Sequence, residues 1–259
     1  MAHSYRIKVV VSGKQVEVFK YQKEVWRDYE SSPKQVTTQK ESNQLNMFEQ
    51  EAQRKKKLQY SINRTKTEIR RQINANPQLN KFMTLTFAEN ITDIKTANYM
   101  FNQFIKRISY RYKDFEYLAV PEFQKRGAVH YHVLCNLPYI EMNALGYIWR
   151  HGHVNIRKVD DVGNLGAYMS KYLGKELFSG RMFGKKKFFR SQSLKSPVEL
   201  LAWWARKFIE KFLTLLTPVF EKTFESEYIG EVEYKAYTLK EVVFKNGELD
   251  PSILMRGVW

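Results

Sequence analysis

One cysteine, Cys135, among 259 residues leaves no partner for an internal disulfide. Such a chain suits a reducing cytoplasm, here that of a bacterial host cell once the resemblance described below is taken into account. The N-terminal MAHSYRIKVV lacks the charged, apolar and small-residue order of a secretory leader, so secretion is not expected. Long apolar runs are missing too. The most apolar late stretch, 198-VELLAWWARKFIEKFLTLLTPVF-220, is broken by Glu199, Arg206, Lys207, Glu210 and Lys211, and no membrane span is expected. There is no HExxH helix, no set of cysteines for structural zinc and no Gly-x-x-x-x-Gly-Lys-Ser/Thr phosphate loop. No internal repeat recurs at a fixed period. Acidic residues are the remaining shortage: 27 Asp+Glu face 43 Lys+Arg, a formal charge of +16. A chain so charged is expected to seek polyanions. Its 43% hydrophobic and 15% aromatic content suffices for one packed domain with appendages.

The excess charge is concentrated. Residues 51–75 hold eight basic residues, Lys55, Lys56 and Lys57 among them, against two acids. Residues 169–195 hold eight, including Arg181, Lys185, Lys186, Lys187 and Arg190, against one. Residues 221–250 reverse the balance, with eight acids against four lysines, and are not expected to face a polyanion. In 181-RMFGKKKFFR-190, Phe183, Phe188 and Phe189 sit among the cations, a mixture that can hold phosphates by charge and stack unpaired bases. Either run taken alone also reads as a solvated helix face.

Periodicity predicts an N-terminal hairpin (Tyr5, Ile7, Val9, Val11, then Val16, Val18) turned at Ser12-Gly13-Lys14, then a polar linker at 30–44. A helix is expected from about 47 to 74 and another at 96–112. Between them, a strand at 81–90 puts Phe82, Thr84 and Thr86 on one face and Met83, Leu85 and Phe87 on the other. Strands at 115–123 and 128–137 flank the turn Gln124-Lys125-Arg126-Gly127. A helix at 141–150, a strand at 152–159 and a helix opening after Gly163-Asn164 and reaching about Lys175 follow. Beyond 197 the pattern is helical to about 216, and it alternates again after 228. The order βαββαβα predicts an α+β domain: a largely antiparallel central sheet with helices packed on one side, leaving the opposite face to hold a site. Three segments are expected: 1–46, a hairpin and linker; 47–197, the core with its leading basic helix; and 198–259, a helical and β accessory part.

The strongest chemical signal is 130-HYH-132 within a strand. Side chains on a strand repeat every two residues, so His130 and His132 share a face and can ligate one divalent metal. If the hairpin pairs residues whose numbers sum to about 252, Glu122 stands beside His130 on that face. Two histidines and a carboxylate make a three-ligand site with open positions. A pair of histidines on a solvated face is the plainer reading. The second signal is 167-AYMSKYLGKE-176. Tyr168 and Tyr172 are four apart, as are Lys171 and Lys175, so a helix aligns each pair and gives each tyrosine a lysine three residues on. A neighbouring lysine or metal favours the nucleophilic phenolate and can neutralise a phosphate under attack. Tyrosines in such a helix are otherwise packing residues.

Together these motifs resemble the HUH endonucleases, in particular the rolling-circle replication initiators of small bacteriophages and plasmids. The segment 82-FMTLTF-87 resembles that family's first motif. YMSKYLGK is similar to the paired-tyrosine helix of initiators from isometric, filamentous and spiroplasma phages, and 188-FFRSQSLKSP-197 resembles the tail after it. The resemblance covers roughly 58–197 and implies an HUH/RRM-like palm. It also implies nicking and joining of single-stranded DNA at an origin hairpin. Magnesium or manganese would be held by His130, His132 and Glu122, and a tyrosine would form a 5′-phosphotyrosine link and free a 3′-OH. Tyr168 is expected to initiate; Tyr172 is either a second nucleophile or a packing residue. Lys171 and Lys175 would assist, and Arg181, Lys185, Lys186, Lys187, Arg190, Lys55, Lys56 and Lys57 would bind DNA. Lacking a phosphate loop, the chain would rely on a host helicase and polymerase. Oligomeric state is left open.

Two other readings stand beside this one: a relaxase or transposase nickase, and a non-catalytic module binding single-stranded nucleic acid. Two further features invite different assignments. His151-Gly-His153 has no partner carboxylate at hairpin distance and is expected to be structural or DNA-contacting. Trp203-Trp204 is expected in a core rather than as a stacking platform.

Overall fold

The computed structural model describes residues 3–27, 47–159, 164–172, 186–226 and 228–240. The chain divides into two compact units, one made of residues 1–55 with 196–259 and the other of 56–195.

The second unit carries the α+β architecture expected. Its strands are β3 (Lys81–Phe87), β4 (Tyr117–Phe123), β5 (Val129–Cys135), β6 (Gly152–Lys158) and the short β7 (Phe189–Arg190), placed after β1 and β2 of the first unit. They form one antiparallel sheet in the order β6-β3-β5-β4-β7. Alternation divides each strand between two faces. One face presents Met83, Leu85, Phe87, Val129, Tyr131 and Val133, all buried against α2 (Ile94–Arg111) and α3 (Met142–Trp149). Asp93 starts α2 by accepting a hydrogen bond from the Thr96 N–H at 2.8 Å, satisfying a donor that the first turn leaves free.

The other face is partly covered as well, which the sequence pattern did not predict. Phe82, Leu118, Val120 and Leu134 point there and bury Ile69 and Ile73 of α1 (Met47–Asn74) together with Met169 of α4 (Leu165–Tyr172). Asn76, fully buried, ties off the end of α1. Its Nδ2 donates to Gln72 O and Lys195 O at 2.7 and 2.8 Å, and its Oδ1 accepts from Lys195 N at 2.9 Å.

In the first unit β1 (His3–Ser12) and β2 (Gln15–Arg27) form the expected hairpin. They lie in a sheet of order β8-β1-β2-β10-β9 with β8 (Val198–Leu201), β9 (Phe220–Ser226) and β10 (Gly230–Thr238). The N-terminal hairpin and the C-terminal strands therefore share one sheet. Residues 198–201, expected as helix, are a strand: Val198 to Leu201 pair with Val11 to Lys8 along an edge of β1. Ala202, at φ 48°, then turns the chain into α5 (Ala202–Phe208) and a π-helical turn, Ile209–Leu213. Trp203 and Trp204, expected in the core, are on the surface at 50% and 37% exposure; Ala205 and Phe208 face inward instead and pack on Val9, Val11, Val16 and Val18. The alternation after 228 is β10. Among the described residues no helix is long and apolar enough to cross a membrane. The polar linker at 30–44 lies outside the described residues.

Candidate metal centre

The β4–β5 hairpin brings the cluster together. Its turn closes with the Gly127 N–H donating to Gln124 O at 2.7 Å, and Gly127 adopts φ 89°, a conformation costly for a residue with a Cβ. That turn sets the register, and the register puts Glu122 opposite His130. On the metal-facing side the sheet reads in rows across β4, β5, β3 and β6. Glu122, His130, Thr86 and His153 form one row, Val120, His132, Thr84 and Asn155 the next, and Leu118, Leu134, Phe82 and Arg157 the third. The third row is apolar up to Arg157 and is where α1 and α4 pack. The first row, with Glu122 and His130, is polar throughout.

Glu122 Oε2 lies 2.7 Å from His130 Nε2 and also contacts His132 Nε2. The two imidazole rings are 4.6 Å apart. All three side chains are largely shielded, at 14%, 13% and 24% exposure for His130, His132 and Glu122. Partial burial alone would raise the Glu122 carboxyl, but hydrogen bonds from His130 and His132 and the charges of the two rings outweigh it and bring its pKa to about 2. The carboxylate is thus an anionic donor at any ordinary pH. Phe82 stacks on His132 at 5.3 Å, and Thr84 Oγ1 lies 3.4 Å from His132 Nδ1, so the ring is held from below and from the side. One oxygen and two nitrogens within 4.8 Å of one another suit a divalent ion that accepts mixed N and O donors.

Tyr131, between the histidines, points the opposite way. Its ring stacks on Phe101 at 4.3 Å and its hydroxyl donates to Asn98 Oδ1 at 2.7 Å. Burial pushes its phenol above the ordinary range. It is a core residue.

The helix α4 is seated by polar contacts at its start. Asn164 Oδ1 accepts from the Ala167 N–H at 2.9 Å, and Asn74, the last residue of α1, accepts from the Gly166 N–H at 2.8 Å. A Cβ at Gly166 would run into Arg70 O and the Asn74 side chain, so only glycine lets the two helices approach this closely. Backbone placement puts Tyr168, Lys171 and Tyr172 on α4; their side chains, and the whole of Lys175, Arg181 and Lys185, lie outside the described residues.

Of the remaining basic residues, Lys186, Lys187 and Arg190 line a cleft of about 450 Å³ with Ser61 and Arg64 of α1. Lys187 Nζ donates to Ser61 Oγ at 2.5 Å. Phe189, expected to stack bases, is buried against Phe101 at 5.6 Å, and Phe188 packs on the α1 side of the sheet. Phe183 lies outside the described residues. Lys55, Lys56 and Lys57 are exposed on α1, with Lys55 paired to Glu51 at 2.7 Å. His153 is exposed in the metal row, whereas His151 packs against Phe87 and Trp149 at 6.2 and 5.1 Å. Asn155 and Arg157 went unremarked in the sequence because their position depends on β6 pairing with β3. Arg157 lies over the Phe82 ring at 5.5 Å.

Residues 80–177 match the family model of the replication-associated protein ORF2/gene 2 protein. The match runs from the approach to β3 through the Glu122, His130 and His132 cluster to the end of α4 and beyond. No curated protein and no solved structure matches the chain.

Proposed function

We propose that this chain is a replication initiator that nicks and rejoins single-stranded DNA through a covalent tyrosine intermediate. The observation that carries this reading is the convergence of Glu122, His130 and His132 on the sheet face against which α4 is packed. The family match supports the replication role.

Glu122, His130 and His132 would hold magnesium or manganese. Such an ion, when bound, supplies a Lewis acid and template for the scissile phosphate. Tyr168 is the nucleophile: its oxygen bonds to phosphorus, the bond to the 3′-oxygen breaks, and the phenolic proton ends on the departing 3′-OH. The 5′ end stays linked to the tyrosine. One phosphodiester replaces another, so the reverse step rejoins the strand without a nucleotide cofactor. Lys171 and Lys175 offset charge on the phosphate, and Tyr172 is available for a second transfer. Lys186, Lys187, Arg190 and the basic turns of α1 with Lys55, Lys56 and Lys57 hold flanking phosphates, as do Arg181 and Lys185. Strand separation and synthesis fall to a host helicase and polymerase.

The test is to incubate Tyr168→Phe and Tyr172→Phe with labelled origin oligonucleotide and manganese and to resolve products on a denaturing gel. Loss of the covalent adduct in Tyr168→Phe alone is expected. An adduct retained in Tyr168→Phe and lost in Tyr172→Phe reverses the assignment; no metal-dependent product from the unmodified chain on any plausible origin would leave a binding module.

A further inference from the structure

A second basic cleft, of about 530 Å³, opens on the opposite side of the same sheet, where α2 and α3 pack. It is lined by Lys106, Arg107, Tyr110, Arg111, Tyr147 and Arg150, around the buried Ile148. The spacing of Lys106, Arg107, Tyr110 and Arg111 puts them on one side of α2, while Phe101, Phe104 and Ile108 face the core. Among the described residues no carboxylate lies within ion-pair distance of any of the four cations.

Like charges gathered without an acid repel one another, so their arrangement calls for a ligand. Arg107 is already positioned: its Nε and Nη2 donate to Ile148 O and Trp149 O at 2.8 and 3.1 Å, the carbonyls that the end of α3 leaves unpaired. Arg150 follows at φ 68°, in the left-handed region. Tyr110 and Tyr147 are 80% and 81% exposed, the degree expected of rings that await a stacking partner rather than a core.

The cleft is continuous with the metal face. Arg150 enters β6, the edge strand, and His153, Asn155 and Arg157 run along β6 on the metal side. From Arg150 to His153 is on the order of 10 Å at about 3.3 Å per residue. We infer that this cleft is a second single-strand binding site, which receives the DNA strand after it rounds the β6 edge, its phosphates on Lys106, Arg111 and Arg150 and its bases on Tyr110 and Tyr147. Exposed tyrosines favour unpaired bases over duplex, because a paired base offers no free face. The inference rests on the reading that the chain handles single-stranded DNA, but not on cleavage.

The test uses the full chain with two variants, Lys106→Ala/Arg111→Ala/Arg150→Gly and Tyr110→Ala/Tyr147→Ala. Glycine is chosen at 150 because it adopts φ 68° without strain, and Arg107 is left in place because it holds the end of α3. Fluorescence anisotropy is read with a long mixed-sequence single strand, a short strand confined to the metal face, and a duplex, across a salt series. The triple variant should flatten the salt slope for the long strand by about 2, and the tyrosine variant should weaken that binding roughly ten-fold or more. Both should leave binding and nicking of the short strand unchanged. Unchanged affinity and slope on the long strand, or an equal loss on duplex, overturns the cleft while leaving the nicking proposal standing. Cleft-dependent binding without any nicking has the reverse meaning. Displacement of the long strand by polyglutamate at equal charge would assign the cleft to acidic protein and overturn it for DNA.

Discussion

Asn74, at the end of α1, accepts a hydrogen bond from the Gly166 N–H of α4 at 2.8 Å, linking two helices that sequence places 92 residues apart. This contact, with the close approach that Gly166 permits, seats the tyrosine helix on the metal face. Gly166→Ala is expected to slow nicking roughly a hundred-fold, the effect of about a 1 Å displacement of a reacting group. Metal affinity should not change. Single-turnover nicking and calorimetric titration with manganese separate the two effects; equal loss of both would mean that α4 and the metal cluster fold as one element.

Glu122→Gln keeps the shape of the Glu122 side chain and removes its charge. Two neutral imidazoles and an amide hold a divalent ion poorly, so saturable manganese binding is expected to weaken at least roughly ten-fold. Titration calorimetry measures this directly; unchanged affinity would place the metal elsewhere.

Tyr131→Phe distinguishes the two faces of β5. Removing a hydroxyl that donates to Asn98 Oδ1 should cost about 1 kcal/mol in stability, read from urea unfolding. Adduct formation should persist. Loss of the adduct with an intact fold would make Tyr131, not a tyrosine of α4, essential to the chemistry.

Cys135 is fully buried, and its burial pushes the thiol to about 11 despite opposition from the Leu137 backbone and Lys81. It is expected to resist alkylation in the native protein at neutral pH and to react fully once denatured. A mass-spectrometric count of adducts over time checks this. Rapid native labelling would show that the β5 end of the sheet opens readily.

Neutralising Lys186 and Lys187 removes two contributors to the cleft beside Ser61 and Arg64. The slope of log affinity against log salt for single-stranded DNA should fall by about 1.4, with chemistry on saturating DNA intact. An unchanged slope would make this cleft ordinary solvated surface.

What the sequence determined by itself is the local chemistry. Alternation in His130-Tyr131-His132 assigns the two imidazoles to one face and the phenol to the other, because a strand repeats every two residues. A four-residue turn closed by Gly127 sets Glu122 opposite His130, since hairpin register follows turn length. Both depend on neighbours within a few residues. Only the tertiary structure decided which strands lie beside which. Residues 198–201 read as helix in isolation and became a strand because β1 offered an unpaired edge, and the N-terminal hairpin joined β10, more than 200 residues away, for the same reason. The covering of the metal face by α1 and α4, the row that adds Asn155 and Arg157, and the meeting of Lys106 with Arg150 also come from pairing at long range. No local period encodes them, because backbone hydrogen bonding and burial of apolar surface are satisfied there by segments far apart in the chain.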